Sequence, residues 1–352
     1  MTRWLKIIVV LLVLGFLISA PHVLNSFYLR VLGEVLIFAM LALSINILLG
    51  YTGLATLGQA AIFGIGTYVV GYMTTKLGQP MYVTIPAGIL GTLIVAAVFG
   101  IFAVRTSGIY FLMITLAQGM IIWGLAFRWN SVTNAENGIR GINRPEWLDT
   151  YSSYYYLILI VTLIVLTLIY RIINSPFGLT LKGIRESERR MRTLGYNVTL
   201  HKFMGFLVAA FFAGLAGSLY AFHNNFVSPT TIEFARSAEA LLMVILGGAG
   251  TMLGPMIGAL VVTFGQHQFS LYTDRWPMII GAIYVITILT APDGFVGIWR
   301  RLSARLTSTK SGAAIQQPER SQVAGKEVEE LEKLQSQTDD STAPSDLKRA
   351  DA

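Results

Sequence analysis

Little in this sequence is equipped for covalent chemistry. It holds no cysteine, which excludes disulfides, thiolate nucleophiles and cysteine-based metal sites. Its four histidines, His22, His201, His223 and His267, show no metal-ligand spacing, so neither a metal centre nor a cofactor is expected. No GxxxxGK[ST] stretch occurs, so any use of ATP must be supplied by a partner. What remains are polar residues set within apolar runs. Ser44, Asn46, Thr52, Thr56 and Gln59 follow one another into and along the glycine-rich stretch ILLGYTGLATLGQAAIFGIG (47–66). Thr115 and Gln118 lie one turn apart on a later run. Glu239 opens AEALLMVILGG, and Glu34 sits early in another apolar run. A carboxylate so close to a span usually faces protein or a cavity with a partner nearby, here Arg236 or His223. Such groups hold or pass a solute rather than transform it, and the chain is not expected to be an enzyme.

The elements that position these residues are membrane spans. The 352 residues are 54% hydrophobic and only 13% charged, against about 25% charged in an average soluble domain. Runs of about 20 apolar residues, each long enough for a hydrocarbon core of about 30 Å, fall at 5–24, 29–49, 58–77, 81–104, 107–127, 154–172, 203–223, 236–247, 252–270 and 275–291. The fold class is therefore all-α, a polytopic transmembrane bundle of about ten spans, two of which (58–77 and 236–247) are broken by glycine or short. The first run, preceded by Arg3 and Lys6, reads as an uncleaved span, because Ile18 spoils a small-x-small cleavage pattern ending at Ala20.

Charge orients the bundle. Residues 1–305 carry 20 Lys/Arg against 10 Asp/Glu, whereas residues 306–352 carry 6 against 9. The basic excess belongs to the membrane part, where it reports topology rather than nucleic-acid binding. Arg171 to Lys202 holds seven basic and two acidic residues, which predicts a cytoplasmic loop (173–202) with six spans before it and four after. Both termini then fall in the cytoplasm, consistent with Arg300, Arg301 and Arg305, while 128–153 forms the longest external loop. The domain division expected is a permease domain over 1–305 and a disordered, polar tail over 306–352, within which VAGKEVEELEKLQSQ (323–337) has the spacing of a short solvated helix.

Two glycine-interrupted stretches look alike. Gly50, Gly53 and Gly58 of the first correspond to Gly247, Gly250 and Gly254 of VILGGAGTMLGPMIGAL (244–260), which predicts an internal repeat. In a bilayer, irregular backbone is tolerated only where it is buried in protein or lines a wet cavity, and paired breaks of this kind point to a translocation path. Small-residue spacing also serves close helix packing, which is the reading favoured for Gly254 and Gly258. Thr52, Gly53, Gln59, Thr115, Gln118 and Glu239 are the candidate pathway residues.

The stretch NSPFGLTLKGIRESERRMRTLG (174–195) is a charged island between apolar runs. Pro176 disfavours helix at Ser175, Gly178 permits a turn, and LTLKGIRESERRMRTLG reads as one short helix ending at Gly195. Leu181, Ile184 and Met191 form an apolar stripe that the helix cannot bury alone. It either lies on the membrane surface or docks into a groove of a cytoplasmic partner. The acidic Glu186 and Glu188 favour docking.

SPFG, KGIRESE, LGYNVTLHKFMGFLVAAFFAGLAGSLYAFHNNFVSP, EALLMVILGGAGTMLGPMIGAL and GYTGLATLGQAAIFGIGTY together resemble the LivM-type permease subunits of branched-chain amino-acid ABC importers, over about residues 30–300. The resemblance implies two cytoplasmic ABC ATPase subunits, a second related permease subunit, a periplasmic substrate-binding protein and a bacterial inner-membrane location. It assigns ATPase coupling to Ile184, Arg185, Glu186, Ser187 and Glu188, positioned by Pro176, Phe177 and Gly178. Two departures stand out: Arg189-Arg190-Met191-Arg192 replaces a usually Ala-rich stretch, and Asp293 replaces a basic residue in the closing motif. Rival readings are a permease for urea or short amides and an ion-gradient-driven secondary transporter.

Overall fold

The computed structural model describes residues 3–273 and 275–290 of the chain. The tail from 306, Arg300, Arg301, Arg305 and Asp293 lie outside the described residues. Thirteen helices occur among those described: α1 (Arg3–Val23), α2 (Ser26–Asn46), α3 (Gln59–Thr75), α4 (Met81–Ala103), α5 (Ile109–Arg128), α6 (Asn130–Thr133), α7 (Tyr151–Ile173), α8 (Pro176–Glu186), α9 (Glu188–Thr193), α10 (Val198–Asn224), α11 (Phe234–Gly247), α12 (Gly254–Ser270) and α13 (Trp276–Thr290). Each of the ten apolar runs coincides with one of these helices. Among the described residues, five helical stretches are long and apolar enough to cross a bilayer: Ser26–Thr52, Met81–Ala103, Ile109–Arg128, Tyr151–Ile173 and Val198–Asn224. The helices α3, α11, α12 and α13 have 17, 14, 17 and 15 residues. At 1.5 Å per residue such helices are about 20–25 Å long, shorter than the hydrocarbon core.

The centre of the bundle is built on α2 and α10. From Val35 to Leu43 α2 is apolar on every side, as a fully buried helical segment must be, and its residues from Val35 to Asn46 are all buried. It packs on α7, α10, α11 and α12, while α10 packs on α2, α3 and α4. Small residues let α3 and α10 approach at backbone distance: a Cβ on Gly66 would lie 2.6 Å from the Gly214 carbonyl oxygen. Without a hydrophobic drive between helices in lipid, such close packing supplies the attraction. Leu90, Ile94 and Val98 of α4 and Met113, Ile121 and Leu125 of α5 are exposed, and neither helix carries a charge before Arg128.

The loop between α5 and α7 is folded rather than free. Its strand β1 (Ile139–Arg140) pairs antiparallel with β2 (Phe226–Val227), Ile139 opposite Val227. This four-residue ladder is a small departure from the all-α expectation. Arg144 donates from Nε and Nη2 to the Phe222 and His223 carbonyls at 2.7 and 2.8 Å, satisfying the open end of α10. Burial lowers its pKa from the ordinary guanidinium value, with Tyr154 and Tyr151 opposing that shift.

Candidate functional site

Both helix breaks are real, and they meet. α2 widens into a π-helical turn over Ile47–Thr52, which ends at Gly53 in the left-handed region (φ 77°). The chain then runs without helix to Gly58, and α3 begins at Gln59. The break expected inside 58–77 thus lies just before it. Gly64, Gly66 and Gly71 continue one helix, where they serve packing. In the second stretch α11 ends at Gly247, Gly248 (φ 110°) and Gly250 (φ 81°) turn the chain, and α12 starts at Gly254. Gly53 and Gly250, which correspond in sequence, share the left-handed conformation that glycine adopts without a steric penalty.

Asn46 ties the two breaks together. Its Nδ2 donates to the Thr251 carbonyl at 2.7 Å, and its Oδ1 accepts from the Gly250 amide at 2.8 Å. A third party joins from α8: Arg185 Nη1 donates to the Gly50 carbonyl oxygen. A Cβ on Gly250 would lie 3.0 Å from the same nitrogen, and one on Gly53 would lie 3.1 Å from Arg185 Cγ. The glycines thereby clear the approach of this one side chain to both breaks.

The polar candidates at the first break are spent mainly on its unpaired backbone. Thr52 Oγ1 donates to the Ile47 carbonyl at 3.0 Å, and the Gly58 amide donates to Thr56 Oγ1 at 3.2 Å. The Leu57 amide donates to Thr115 Oγ1 at 3.3 Å, and the Ala60 amide to Ser237 Oγ at 3.2 Å. Gln118 Nε2 donates to the Phe99 carbonyl at 2.9 Å. Gln59 Nε2 reaches Ser44 Oγ at 3.3 Å, while its Oε1 is buried with no partner among the described residues. Thr56, Thr115 and Gln118 border one small cavity with Phe99 and Phe206. Thr115→Val keeps the shape but strands the Leu57 amide. It should cost about 1–3 kcal/mol, read as a lower melting temperature in detergent than that of Thr115→Ser.

Glu239 is half-buried and pairs with Arg236, Oε2 to Nη1 at 2.9 Å. Glu34 pairs with His267 at 2.7 Å. Of the two partners anticipated for Glu239, Arg236 is the one used.

The charged island folds differently from the single helix expected. Ser175 Oγ accepts from the Gly178 amide at 3.4 Å and Pro176 occupies the first turn, so SPFG starts α8 rather than forming a turn. Gly178 is needed because a Cβ there would strike the Ile173 carbonyl at the end of α7. Ser187 (φ −163°, ψ 105°) then divides α8 from α9, its Oγ accepting from the Arg190 amide at 3.3 Å. A serine that caps the next helix outcompetes continuation of the previous one. The apolar stripe is not left for lipid or a partner. Leu181 and Ile184 are buried in this chain, Leu181 within contact distance of Gly205 on α10, and Met191 folds over Gly183.

The coupling candidates therefore divide. Pro176 and Glu186 are exposed, as are Arg189, Arg190 and Arg192. Phe177 stacks on His201 with centroids 6.1 Å apart. Ile184 and Gly178 are buried, Ser187 is a cap, and Arg185, itself exposed, reaches the Gly50 carbonyl with its guanidinium. Glu188 forms an ion pair with Lys202 of α10, whose side chain is 3% exposed, and reaches Arg192 at 3.8 Å. Sequence reasoning missed Lys202 and Ser237 as partners. A lysine near a helix start resembles an interfacial anchor, and nothing local signals its burial.

A family model for the permease component of branched-chain amino acid transport systems matches residues 27–289. The chain is 28% identical to the high-affinity branched-chain amino acid transport system permease protein LivM of Escherichia coli K12, over 83% of this chain and 75% of that one. It is 27% identical to the LivM of Salmonella typhimurium, over 75% and 69%. The LivH permease protein of the same Salmonella strain is 24% identical, over 74% and 91%. No solved structure matches the chain. A multi-pass helical bundle whose two glycine breaks meet in its interior, matched over residues 27–289, belongs to the family of branched-chain amino acid transport system permease components.

Proposed function

We propose that this chain is the membrane-spanning permease subunit of an ATP-binding cassette importer that carries branched-chain or other small neutral amino acids across a bacterial inner membrane. In this reading two cytoplasmic ATPase subunits drive it, a second related permease subunit completes the pathway, and a periplasmic binding protein delivers substrate. Residues 1–305 form a ten-span permease domain with internally repeated breaks, 306–352 form a cytoplasmic tail, and both termini are cytoplasmic. The basic excess from Arg171 to Lys202 supports placing α8 and α9 on the ATPase side.

One observation carries the mechanism: Arg185, on the surface helix α8, is bonded to the carbonyl of Gly50 and lies against Gly250. The exposed Pro176, Glu186, Arg189, Arg190, Arg192 and Leu194 are offered to the ATPase, and Arg185 carries the displacement of α8 to both helix breaks. The ATPase contact is then the differential interaction that any two-state switch requires. The breaks, together with Thr52, Gly53, Gln59, Thr115, Gln118 and Glu239, border the solute path, where the free Oε1 of Gln59 offers an acceptor to water or solute. The rival ion-gradient transporter would need membrane-embedded ionisable groups; Glu239 and Glu34 are the candidates, and their partners are Arg236 and His267.

ATP-driven leucine uptake by proteoliposomes holding this chain with its ATPases and partner permease is the expected result. Uptake driven by an ion gradient without any ATPase would overturn it. Arg185→Gln should then lower solute moved per ATP hydrolysed by roughly 10- to 100-fold, the loss of a charge-assisted bond of about 1.5–3 kcal/mol. The ATPases should remain bound, and Arg185→Lys should recover part of the ratio.

A further inference from the structure

An ion pair and a carboxylate–imidazole hydrogen bond lie away from the island, on α2, α11 and α12. Glu34 lies in the first half of α2 and His267 in the last turn of α12, Oε2 to Nε2 at 2.7 Å. Arg236 and Glu239 occupy the first turns of α11. The opposite ends of these three helices meet at the junction of Asn46 with Gly250 and Thr251. The two pairs are neighbours: the Arg236 guanidinium lies 5.9 Å from the ring of Phe38, one turn along α2 from Glu34.

These four side chains are neither sealed nor free. They are 14% (Glu34), 35% (His267), 29% (Arg236) and 23% (Glu239) exposed, so the cluster opens onto the surface of the chain. Hydrocarbon rejects such groups, and they normally face a wet cavity or the interior of an assembly. The exposed faces of α4 and α5 look different, presenting apolar side chains such as Ile94 and Met113. One guanidinium beside two carboxylates and an imidazole is also the set that a zwitterion needs. The planar fork of an arginine matches a carboxylate, and the carboxylates match an ammonium group.

We propose that the face formed by α2, α11 and α12 lines the aqueous path and binds the charged ends of the amino acid in transit, Arg236 taking the α-carboxylate and Glu239 with Glu34 the α-ammonium. This rests on the amino-acid permease reading above. Substrate opens the two pairs as it binds, and they close again behind it, so the site is never left with an unpaired charge.

The absence of native cysteine makes the test direct. Arg236→Cys and Glu239→Cys, each in the assembled transporter in proteoliposomes, are exposed to a membrane-impermeant thiosulfonate reagent, with Met113→Cys as the lipid-facing control. Labelling at 236 and 239 is expected to be at least tenfold faster than at 113, and millimolar leucine should slow it severalfold. In uptake, Arg236→Gln should raise the KM for leucine about tenfold or more, with Arg236→Lys between it and wild type. Labelling no faster than at 113 overturns the aqueous face and marks a sealed interface. Fast labelling without leucine protection, and with an unchanged KM, overturns the binding site. Wild-type proteoliposomes that take up no leucine with ATP would overturn the permease reading itself, which the labelling rates do not touch.

Discussion

Glu188→Ala should destabilise the protein by about 3–5 kcal/mol, whereas Lys202→Met should be close to neutral. The asymmetry follows from burial. The Lys202 side chain is 3% exposed and its ammonium pairs with a Glu188 carboxylate that is 29% exposed. Removing the glutamate leaves a buried cation without a counter-ion, whereas removing the lysine frees a carboxylate that still reaches water and Arg192, 3.8 Å away. The Arg192 contact adds little by itself, since that side chain is 65% exposed and water screens it. Methionine fills the lysine stem's volume among apolar neighbours. Melting temperatures of both variants in detergent give the comparison: a large drop for Glu188→Ala beside little change for Lys202→Met is the expected pattern. Equal drops would mean that the pair acts through packing alone. The result also bears on coupling, because Glu188 holds α9 to α10 and so fixes the surface offered by Arg189, Arg190 and Arg192.

The elements were legible in the sequence and their partners were not. Apolar length located the long helices, whereas SPFG read as a break and a turn and is instead the capped first turn of α8. Periodicity also identified Leu181 and Ile184 as an apolar stripe. Periodicity says which face must be covered but not by what, and here the cover is α10 and the first break rather than lipid or an ATPase. The same limit applies to Arg185. It is exposed like its neighbours Glu186 and Arg189 and reads as one of them, yet its guanidinium also reaches Gly50, 135 positions earlier. The bridges from Asn46 to Gly250 and from Ala60 to Ser237 span 204 and 177 positions. Such pairings depend on tertiary placement that no local pattern encodes. The glycine-rich stretches did announce themselves, since irregular backbone in a membrane must be buried in protein or wet. Their meeting point became visible only with the fold.

Gly50→Ala should abolish transport and strip the protein of much of its stability, and the reason lies at that meeting point. A Cβ on Gly50 would lie inside van der Waals distance of Asn46 Oδ1 and of the Gly250 amide nitrogen, and 2.8 Å from the Gly250 Cα. Two of these three atoms are backbone of the opposite break, so no flexible side-chain end can swing aside. Overpacking alone costs about 1–3 kcal/mol. Pushing the breaks apart also strains the Asn46 bond to Gly250 and strands polar groups in a buried site, at about 1–3 kcal/mol for each group left unpaired. The loss reaches the Arg185 bond as well, because its acceptor is the carbonyl of Gly50 itself. Gly124→Ala is the matched control: no atom lies within 4 Å of a Cβ placed there, and α5 should accept the methyl with a slight gain in helix propensity. Thermal unfolding and leucine uptake measured on both variants decide the matter. A Gly50→Ala protein that melts and transports like Gly124→Ala would show that the two breaks do not rest on one another at this point.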